Sequence, residues 1–490
     1  MLRAHWLAGL ALLAALSGCA SAPLNPKLAA HDGSAGYRFQ NLTGDANSDE
    51  LFVILAFSGG GTRAAAFSFG LLEGLRAVTY HPPGGAPRRL LDDVEVISSV
   101  SGGSFTAAYY ALFREDAFDR FGQAFLYRDV QGELIRRALR PSSWARLAAP
   151  DWSRIDLAAE LYDEEVFDRR TFGDLVRAGR KPYVILNATD MTLGARFEFT
   201  QDQFDLLCSD LSGVTVARAV AASSAFPVLL SPLTLRNYAA EGCGYRRPLW
   251  LTNALRQANP VRRWAVARDL WSYQERGSER PFVHLLDGGL ADNIGLRGPY
   301  VALSGQDSGW SVYTRINQGK IRRVLVITAN AKTRSRSEWD RAQAPPGVLD
   351  VLGLVASGPM DNYSFDTVQL IADHFRVLAN DARNWRDCKD VLQGSCPAAT
   401  MPATPPAADF HAVELSFDAV TGDETLRRCL ESFATSFSLP GAQVTLLRQV
   451  ARHLLMQSED FRSVMAAVDP GWRPPDAPID AAVRKEACGS

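Results

Sequence analysis

Val94 to Phe105, VEVISSVSGGSF, decides the fold, because a buried strand stops there abruptly on a serine that lies between small residues. Valine and isoleucine dominate the stretch up to Val100, which is typical of a strand packed on both faces. Gly102 and Gly103 then permit a tight turn into a helix. The pattern predicts a nucleophile elbow, in which Ser101 lies on a strained strand-to-helix turn with its hydroxyl close to the helix N-terminus.

The elbow departs from the usual G-x-S-x-G pattern at one position, because Ser99 replaces the first glycine. Serine is still small enough to let the backbone turn closely, so Ser101 remains the predicted nucleophile. A Ser/Gly cluster after a strand can also be an ordinary loop. The elbow pattern alone therefore does not assign a function, and motifs elsewhere in the chain are needed.

A second strand-turn-helix pattern precedes the elbow. Leu51 to Phe57, LFVILAF, has the length and apolar character of a buried strand, and Ser58 to Arg63, SGGGTR, separates it from a strong helix pattern. Two such units in succession predict a parallel sheet with right-handed crossovers, and thus the α/β class. Ile321 to Thr328 predicts a further buried strand.

The glycine turn has two possible functions. Gly59 to Ala64 fits the dinucleotide pattern G-x-G-x-x-A, but that function needs an acidic residue at the end of the second strand, where this chain has Ser101. A Walker loop is excluded because no Gly-Lys-Ser/Thr follows. The backbone N–H groups of a glycine-rich turn at a helix start instead suit a developing oxyanion beside a serine nucleophile.

Taken in order over roughly residues 50 to 300, these motifs resemble the patatin-like phospholipase family. Gly59, Gly60, Gly61 and Arg63 are similar to its oxyanion-hole motif, and Ser101 matches its nucleophile. Asp287 in Asp287-Gly288-Gly289 matches its catalytic aspartate. Val214 to Pro232 and, more weakly, Leu186 to Asp190 resemble further family segments.

The resemblance implies a three-layer α/β/α fold with a mainly parallel central sheet, extended here by helices at the C-terminus. It also implies a lipid acyl hydrolase of the phospholipase A or lysophospholipase type, acting through a Ser101–Asp287 dyad and an acyl-enzyme. Arg63 would support the loop, bind a phosphate or form a salt bridge at the helix start. No cofactor is expected, and no EF-hand loop or HExxH motif predicts a metal.

A dyad rather than a triad is predicted because the histidines are poorly placed. His284 is the only serious competitor, three residues before Asp287 in the same predicted strand. Successive side chains of a strand point to alternate faces of the sheet, so His284 and Asp287 lie on opposite faces. Both therefore cannot easily hydrogen-bond to one serine hydroxyl. We expect His284 to be a core histidine.

The first residues predict export. A basic start at Arg3 and an apolar run from Trp6 to Leu16, too short to span a bilayer, are followed by Leu16 to Cys19, which resembles the lipobox of bacterial lipoproteins. This implies a signal peptide over 1–18, a lipid on Cys19, a flexible tether over 19–49 and a place in the bacterial cell envelope. The absence of an acidic residue at Ala20 favours the outer membrane.

The remaining chain divides into a predicted patatin-like catalytic domain, 50–380, and a C-terminal extension packed on it, 381–490. Six cysteines follow Cys19, an even number that predicts at least one disulfide in an oxidising envelope and leaves the pairing open.

The formal charge of −2 gives no reason to expect nucleic acid as a partner. Two segments, Glu133 to Arg154 and Tyr245 to Arg280, mix arginines with tryptophans. They suit an anionic lipid interface, or else are solvated helices whose tryptophans pack inward. The expected partner is a membrane lipid, and the oligomeric state is left open. Two other functions stay possible: a serine hydrolase of thioesters or peptides, and a non-catalytic envelope scaffold.

Overall fold

A mixed, mostly parallel β-sheet forms the centre of the protein in a computed structural model. The structure describes residues 24–42, 51–227, 229–257, 262–304, 321–333 and 408–489, with scattered positions between 343 and 395. The strands are β1 Leu51–Phe57, β2 Thr79–Tyr80, β3 Arg88–Arg89, β4 Val94–Val100, β5 Tyr183–Asp190, β6 Ala195–Glu198, β7 Leu233–Arg236, β8 Phe282–Asp287, β9 Arg323–Asn330 and β10 Asp409–Ser416. In the main sheet the order is β10-β9-β1-β4-β5-β8-β7, with β6 paired to β5, and β2 and β3 form a separate ribbon.

Burial explains the parallel part of the sheet. Every residue of β1 and of β4 is buried, as expected for apolar strands with both faces covered. Strands β10, β9, β1, β4 and β5 run parallel, whereas β8 is antiparallel to β5 and β7 is antiparallel to β8. The strands predicted at 51–57, 94–100 and 321–328 are confirmed.

Helices flank the sheet, so the predicted α/β fold is confirmed. They are α1 Gly61–Ala77, α2 Gly102–Phe113, α3 Ala117–Phe121, α4 Val130–Ala138, α5 Pro141–Leu147, α6 Arg154–Glu165, α7 Phe172–Ala178, α8 Gln201–Asp205, α9 Val216–Ser223, α10 Leu249–Leu255, α11 Arg262–Glu275, α12 Gly289–Asp292, α13 Arg297–Ser304, α14 Glu424–Glu431, α15 Gly441–Gln457, α16 Glu459–Val468 and α17 Ala481–Cys488. Within the described residues, none of these helices is both long and apolar enough to cross a membrane.

The C-terminal region is part of the central fold. Its first element, β10, pairs in parallel with β9 along its whole length, so a boundary at residue 380 separates strands of one sheet. Helix α15 packs so closely on α1 that a Cβ on Gly70 would lie 2.4 Å from the Arg448 carbonyl oxygen. The predicted helices of this region are confirmed, but the extension also contributes a strand.

Residues 24–42, here called the N-terminal segment, pack on the body of the protein. The Tyr37 hydroxyl accepts the Val184 N–H at 2.9 Å, and Arg38 is 2% exposed and paired with Asp205 at 2.5 Å. The prediction of a flexible tether is therefore wrong for these residues, because a buried aromatic ring and a buried ion pair fix them. Residues 19–23, which include Cys19, and residues 43–49 lie outside the described residues.

Two disulfides confirm the prediction of at least one. Cys208 pairs with Cys243 and Cys429 with Cys488, closing loops of 35 and 59 residues. In the chain-entropy account, loops of this length contribute about 4 kcal/mol each to the free energy of unfolding. The first disulfide also holds the N-terminal segment, since backbone N–H groups of that segment donate to the carbonyls of both its cysteines at 2.8 Å. Cys388 is exposed and unpaired, and Cys396 lies outside the described residues.

Candidate active site

Ser101 lies on the turn between β4 and α2, as the elbow pattern predicts. Its φ of 50° and ψ of −120° are unusual for a residue with a side chain, and such strain persists only where the surroundings impose it. The two glycines that follow allow a close approach of backbones. A Cβ on Gly102 would lie 2.0 Å from the Gly61 carbonyl oxygen, and one on Gly103 would lie 2.7 Å from the Phe57 side chain.

The serine at position 99 is accommodated by a chain of hydroxyl groups. The Ser104 hydroxyl donates to Ser99 Oγ at 3.1 Å and lies 2.9 Å from Ser223 Oγ. Ser223 Oγ in turn accepts the backbone N–H of Ser101 at 2.9 Å. These groups are buried and mutually hydrogen-bonded, so replacing the elbow's first glycine leaves the Ser99 hydroxyl satisfied. Ser223, at the end of α9, thereby fixes the backbone of Ser101.

The glycine loop offers two backbone donors rather than three. Gly60 and Gly61 have φ angles of 138° and 59°, which favour glycine. Gly59 donates its N–H to the Asn293 carbonyl at 3.0 Å, so the prediction that it lines an oxyanion hole is wrong for that N–H group. Within the described part of the chain, the N–H groups of Gly60 and Gly61 have no acceptor.

Arg63 holds this loop in place. Its side chain is 4% exposed, and it donates from Nε to the Ala331 carbonyl at 3.0 Å and from Nη1 to the Phe433 carbonyl at 2.7 Å. Of the predicted possibilities, these contacts show support of the loop. The C-terminal region helps, because Thr62 donates its N–H to the Ser436 carbonyl at 2.8 Å.

Asp287 reaches Ser101 because of strand register. It ends β8 opposite Ala188 of β5, while the preceding residue of β5, Asn187, pairs with Val100 of β4. The ends of β4 and β8 therefore meet beside one point of β5.

The Asp287 carboxyl group is buried. It is 2% exposed and accepts the Gly289 N–H at 2.8 Å. Burial raises the pKa of Asp287 to about 6, and the hydrogen bonds from Gly289 and from the Ser101 hydroxyl oppose that rise. The site therefore pairs a strained serine with a carboxylate that is more basic than an ordinary aspartate.

His284 is separated from this pair. Exposed and buried residues alternate along β8, so His284 and Asp287 lie on opposite faces, as predicted. The expectation of a core histidine is wrong, because the ring of His284 is exposed and its Nδ1 lies 3.0 Å from the Thr234 hydroxyl.

Asn293 is a polar residue of the site that sequence reasoning missed. Its Oδ1 is buried and has no hydrogen-bond partner among the described residues. A Cβ on Gly59 would lie 2.5 Å from this Oδ1 and 3.3 Å from the Ser101 Cβ, so the amide is close to the serine. Asn293 follows Asp287 by six residues, but spacing alone does not give the direction of its side chain.

Comparison with known proteins identifies the family. The sequence model described as Patatin-like phospholipase matches residues 55–300. The chain belongs to this family. No curated protein matches the sequence.

Solved structures give more distant likenesses to this patatin-like protein. Human GIVD cytosolic phospholipase A2 in complex with methyl gamma-linolenyl fluorophosphonate is 12% identical, with a TM-score of 0.35, and the match covers 85% of this chain and 60% of that one. Another structure of the human enzyme is 14% identical, with a TM-score of 0.28, covering 62% and 50%. VipD from Legionella pneumophila is 11% identical, with a TM-score of 0.29, covering 91% and 71%. The chain thus spans 50 to 60% of the length of these human chains.

Part of the patatin-like site is built by residues beyond the family match. The carbonyls of Phe433 and Ser436, which hold Arg63 and the start of α1, lie more than 130 residues after its end at 300. A Cβ on Gly61 would lie 2.3 Å from the Ser436 oxygen, so this contact also fixes the glycine loop. Among the described residues, no group of three or more His, Cys, Asp or Glu side chains is arranged to hold a metal ion.

Proposed function

We propose that this patatin-like protein hydrolyses carboxylic esters of membrane lipids, as a phospholipase A or lysophospholipase, through a Ser101–Asp287 dyad. One observation supports this most strongly: a serine on a strained turn interacts with a buried carboxylate whose pKa is raised to about 6. A non-catalytic scaffold has no need of a strained serine beside a buried carboxylate with a raised pKa.

Acylation begins when Ser101 Oγ attacks the ester carbonyl carbon. The Asp287 carboxylate accepts the hydroxyl proton, and a pKa near 6 makes it a better base than a solvated aspartate. The negative charge that develops on the carbonyl oxygen accepts the N–H groups of Gly60 and Gly61. Asp287 then returns the proton to the departing alkoxide, the carbon–oxygen bond to the alcohol breaks, and an acyl group remains on Ser101.

Deacylation repeats these steps with water. Asp287 takes a proton from the water, the resulting oxygen attacks the acyl carbon, and the fatty acid leaves as Ser101 recovers its proton. An ester bound at Ser101 also brings a polar group to the Asn293 amide, whose Oδ1 has no partner among the described residues. We propose that Asn293 binds that group by hydrogen bonding.

Incubation of the purified protein with phospholipids, lysophospholipids, triglycerides, acyl thioesters and soluble short-chain esters tests the function. We expect free fatty acid from the first two substrates. A fluorophosphonate should label the protein on Ser101, since the serine oxygen replaces fluoride at phosphorus. Faster cleavage of thioesters or peptides than of lipids would favour the other hydrolase, and the absence of an adduct and of any product would favour the scaffold.

We also propose that Cys19 carries a lipid that anchors the protein in the bacterial cell envelope, at the outer membrane. The support is the sequence Leu16 to Cys19 directly after an apolar run. We expect Cys19→Ala protein to leave the membrane fraction after a high-salt wash, measured by fractionation and immunoblotting. If the washed variant stays with the membrane, the anchor lies elsewhere.

A further inference from the structure

Helices α4 and α5, here called the α4–α5 pair, expose large apolar side chains to solvent. Ile135 is 54% exposed, Leu139 is 64% exposed and Trp144 is 58% exposed. Ile135 and Leu139 are four residues apart on or directly after one helix, so they lie on the same stripe of its surface. Three large apolar side chains exposed within ten residues indicate a surface that contacts something.

The charged residues within 135–150 are all basic, although carboxylates of neighbouring segments contact several of them. Residues 135–150 include four arginines and no acidic residue. Arg137 and Arg146 are held by glutamates of α6, at 2.8 Å in the case of Arg137. Arg136 is 62% exposed, with its nearest carboxylate oxygens at 3.7 and 4.0 Å, and exposed Arg140 forms no ion pair with a described residue. Arg140 can therefore contact an anion, and so can Arg136, whose exposed guanidinium group is only loosely paired with Asp129 and Glu133.

The other tryptophans of the basic segments do not share this exposure. Trp152 is 2% exposed and lies under the Arg146 guanidinium, 4.0 Å from its ring. In the second basic segment Trp250 and Trp271 are partly buried against the core. For those residues the inward-packed alternative is the one observed. Among the described tryptophans of the two segments, Trp144 of the α4–α5 pair is the one that is exposed, so the interface expectation is developed for this pair.

The α4–α5 pair is attached at both ends to segments that border the candidate active site. At its start, Gln131 donates its N–H to the Phe437 carbonyl at 3.3 Å and accepts the Phe437 N–H on Oε1 at 3.2 Å. The neighbouring residue Ser436 contacts the glycine loop, because its carbonyl accepts the Thr62 N–H.

Beyond α5, the Ser231 hydroxyl donates to Ser153 Oγ at 2.9 Å and accepts the Ile155 N–H at 3.1 Å. Ser231 ends the loop that begins after Ser223, the residue whose hydroxyl holds the Ser101 N–H. Leu229 in that loop is 49% exposed. The residues that flank the α4–α5 pair on both sides are therefore hydrogen-bonded to segments that border the site.

We propose that the α4–α5 pair is the surface on which this protein docks onto an anionic lipid bilayer. The inference rests on the proposed function in one respect, since a lipid hydrolase needs its site at the lipid surface. Charge complementarity identifies the occupant. Ile135, Leu139 and Trp144 insert at headgroup depth, where an indole is favoured, while Arg136 and Arg140 contact lipid phosphates.

The test measures binding to vesicles of phosphatidylcholine alone and of phosphatidylcholine with phosphatidylglycerol. It uses full-length Cys19→Ala protein, so that no lipid anchor contributes, with Ser101→Ala to keep the vesicles intact. Each arginine near an anionic surface contributes about fivefold to binding, so Arg136→Gln with Arg140→Gln should weaken binding to the anionic vesicles by about 25-fold. Leu139→Ser with Trp144→Ala should weaken binding to both kinds of vesicle.

Val391→Ser is the matched control, because Val391 is 67% exposed and does not belong to the α4–α5 pair. It should leave binding unchanged. With Ser101 intact, all of these variants should hydrolyse a soluble short-chain ester as the parent protein does, because none of the changed residues touches the site. Unchanged vesicle binding in both double variants would overturn the docking surface.

Loss of both soluble-ester hydrolysis and vesicle binding in these variants would also overturn the docking surface, because it would show that the α4–α5 pair acts within the site. If the parent protein instead sediments as a dimer while the Leu139→Ser, Trp144→Ala variant sediments as a monomer, that result would assign the surface to contact with a second copy of the chain. Arginine-dependent vesicle binding by a protein that cleaves no ester would support the docking surface and reject the proposed function. The two hypotheses therefore fail separately.

Discussion

Asp287→Asn should lower the turnover of a lipid ester by about 1000- to 10,000-fold, because asparagine cannot accept the Ser101 proton. The amide has the shape of the carboxyl group, so the hydrogen bond from Gly289 can remain. Burial raises the pKa of Asp287, which means that the folded protein carries an unfavourable buried charge above pH 6. A neutral asparagine removes that cost, so the variant should unfold at the same or a higher temperature at neutral pH. Turnover and thermal unfolding measured together separate a catalytic effect from a structural one.

The matched control is His284→Gln on the opposite face of β8. His284 is exposed and touches Thr234, so its replacement should keep most of the activity. The wild-type protein gives a second readout. Asp287 must be ionised to act as a base, so kcat/KM should fall as the pH drops through about 6. An active Asp287→Asn protein, together with a folded but inactive His284→Gln protein, would reject the dyad.

Local sequence rules predicted the elements that carry the site. The strands β1 and β4 have the predicted bounds, because a strand covered on both faces is rich in apolar, β-branched residues, although β4 also buries Glu95, Ser98 and Ser99. The strained turn at Ser101 also follows from local chemistry, since two glycines after a serine allow backbones to approach closely. The position of Asp287 came from the family resemblance, and the pairing of β8 with β5 explains it physically.

Contacts between distant parts of the chain were not predictable in this way. The ring of Tyr37 makes the N-terminal segment part of the fold, although its composition resembles that of a linker. The exposure of His284 depends on which helices cover β8, and strand periodicity gives only the face. Ser223 and Asn293 are brought to Ser101 by the ends of α9 and of the loop after α12, and neither residue type is distinctive in sequence.

The glycine loop also combines a feature that local sequence predicted with long-range contacts that it did not. Three consecutive glycines predicted an oxyanion hole, but the long-range contact of Gly59 with the Asn293 carbonyl occupies one of the three N–H groups. The sequence around Arg63 is compatible with a side chain that binds a phosphate. Its burial and its bonds to carbonyls more than 250 residues away give it a supporting role instead.

Gly60→Ala should lower turnover by about 100- to 1000-fold, the effect typical of removing one oxyanion donor. The φ of Gly60 is 138°, which disfavours any residue with a side chain, and a Cβ there would lie 3.1 Å from Arg63 Nη2 and 3.3 Å from the Ala64 Cβ. We expect the backbone to rotate and to turn the N–H groups of the loop away from the developing charge. Because the oxyanion forms in the transition state, kcat should fall while KM changes little.

Gly84→Ala separates this effect from backbone strain in general. Gly84 also has a positive φ, 70°, but a Cβ there meets nothing within 4 Å. Alanine at a positive φ costs of the order of 1 kcal/mol at either site, so both variants should unfold at a somewhat lower temperature. Only Gly60→Ala should lose turnover with a soluble ester, a substrate that excludes any contribution from docking on a bilayer. A Gly60→Ala protein with the turnover number of Gly84→Ala would leave the glycine loop a structural role alone, and the charge on the ester oxygen would need other donors.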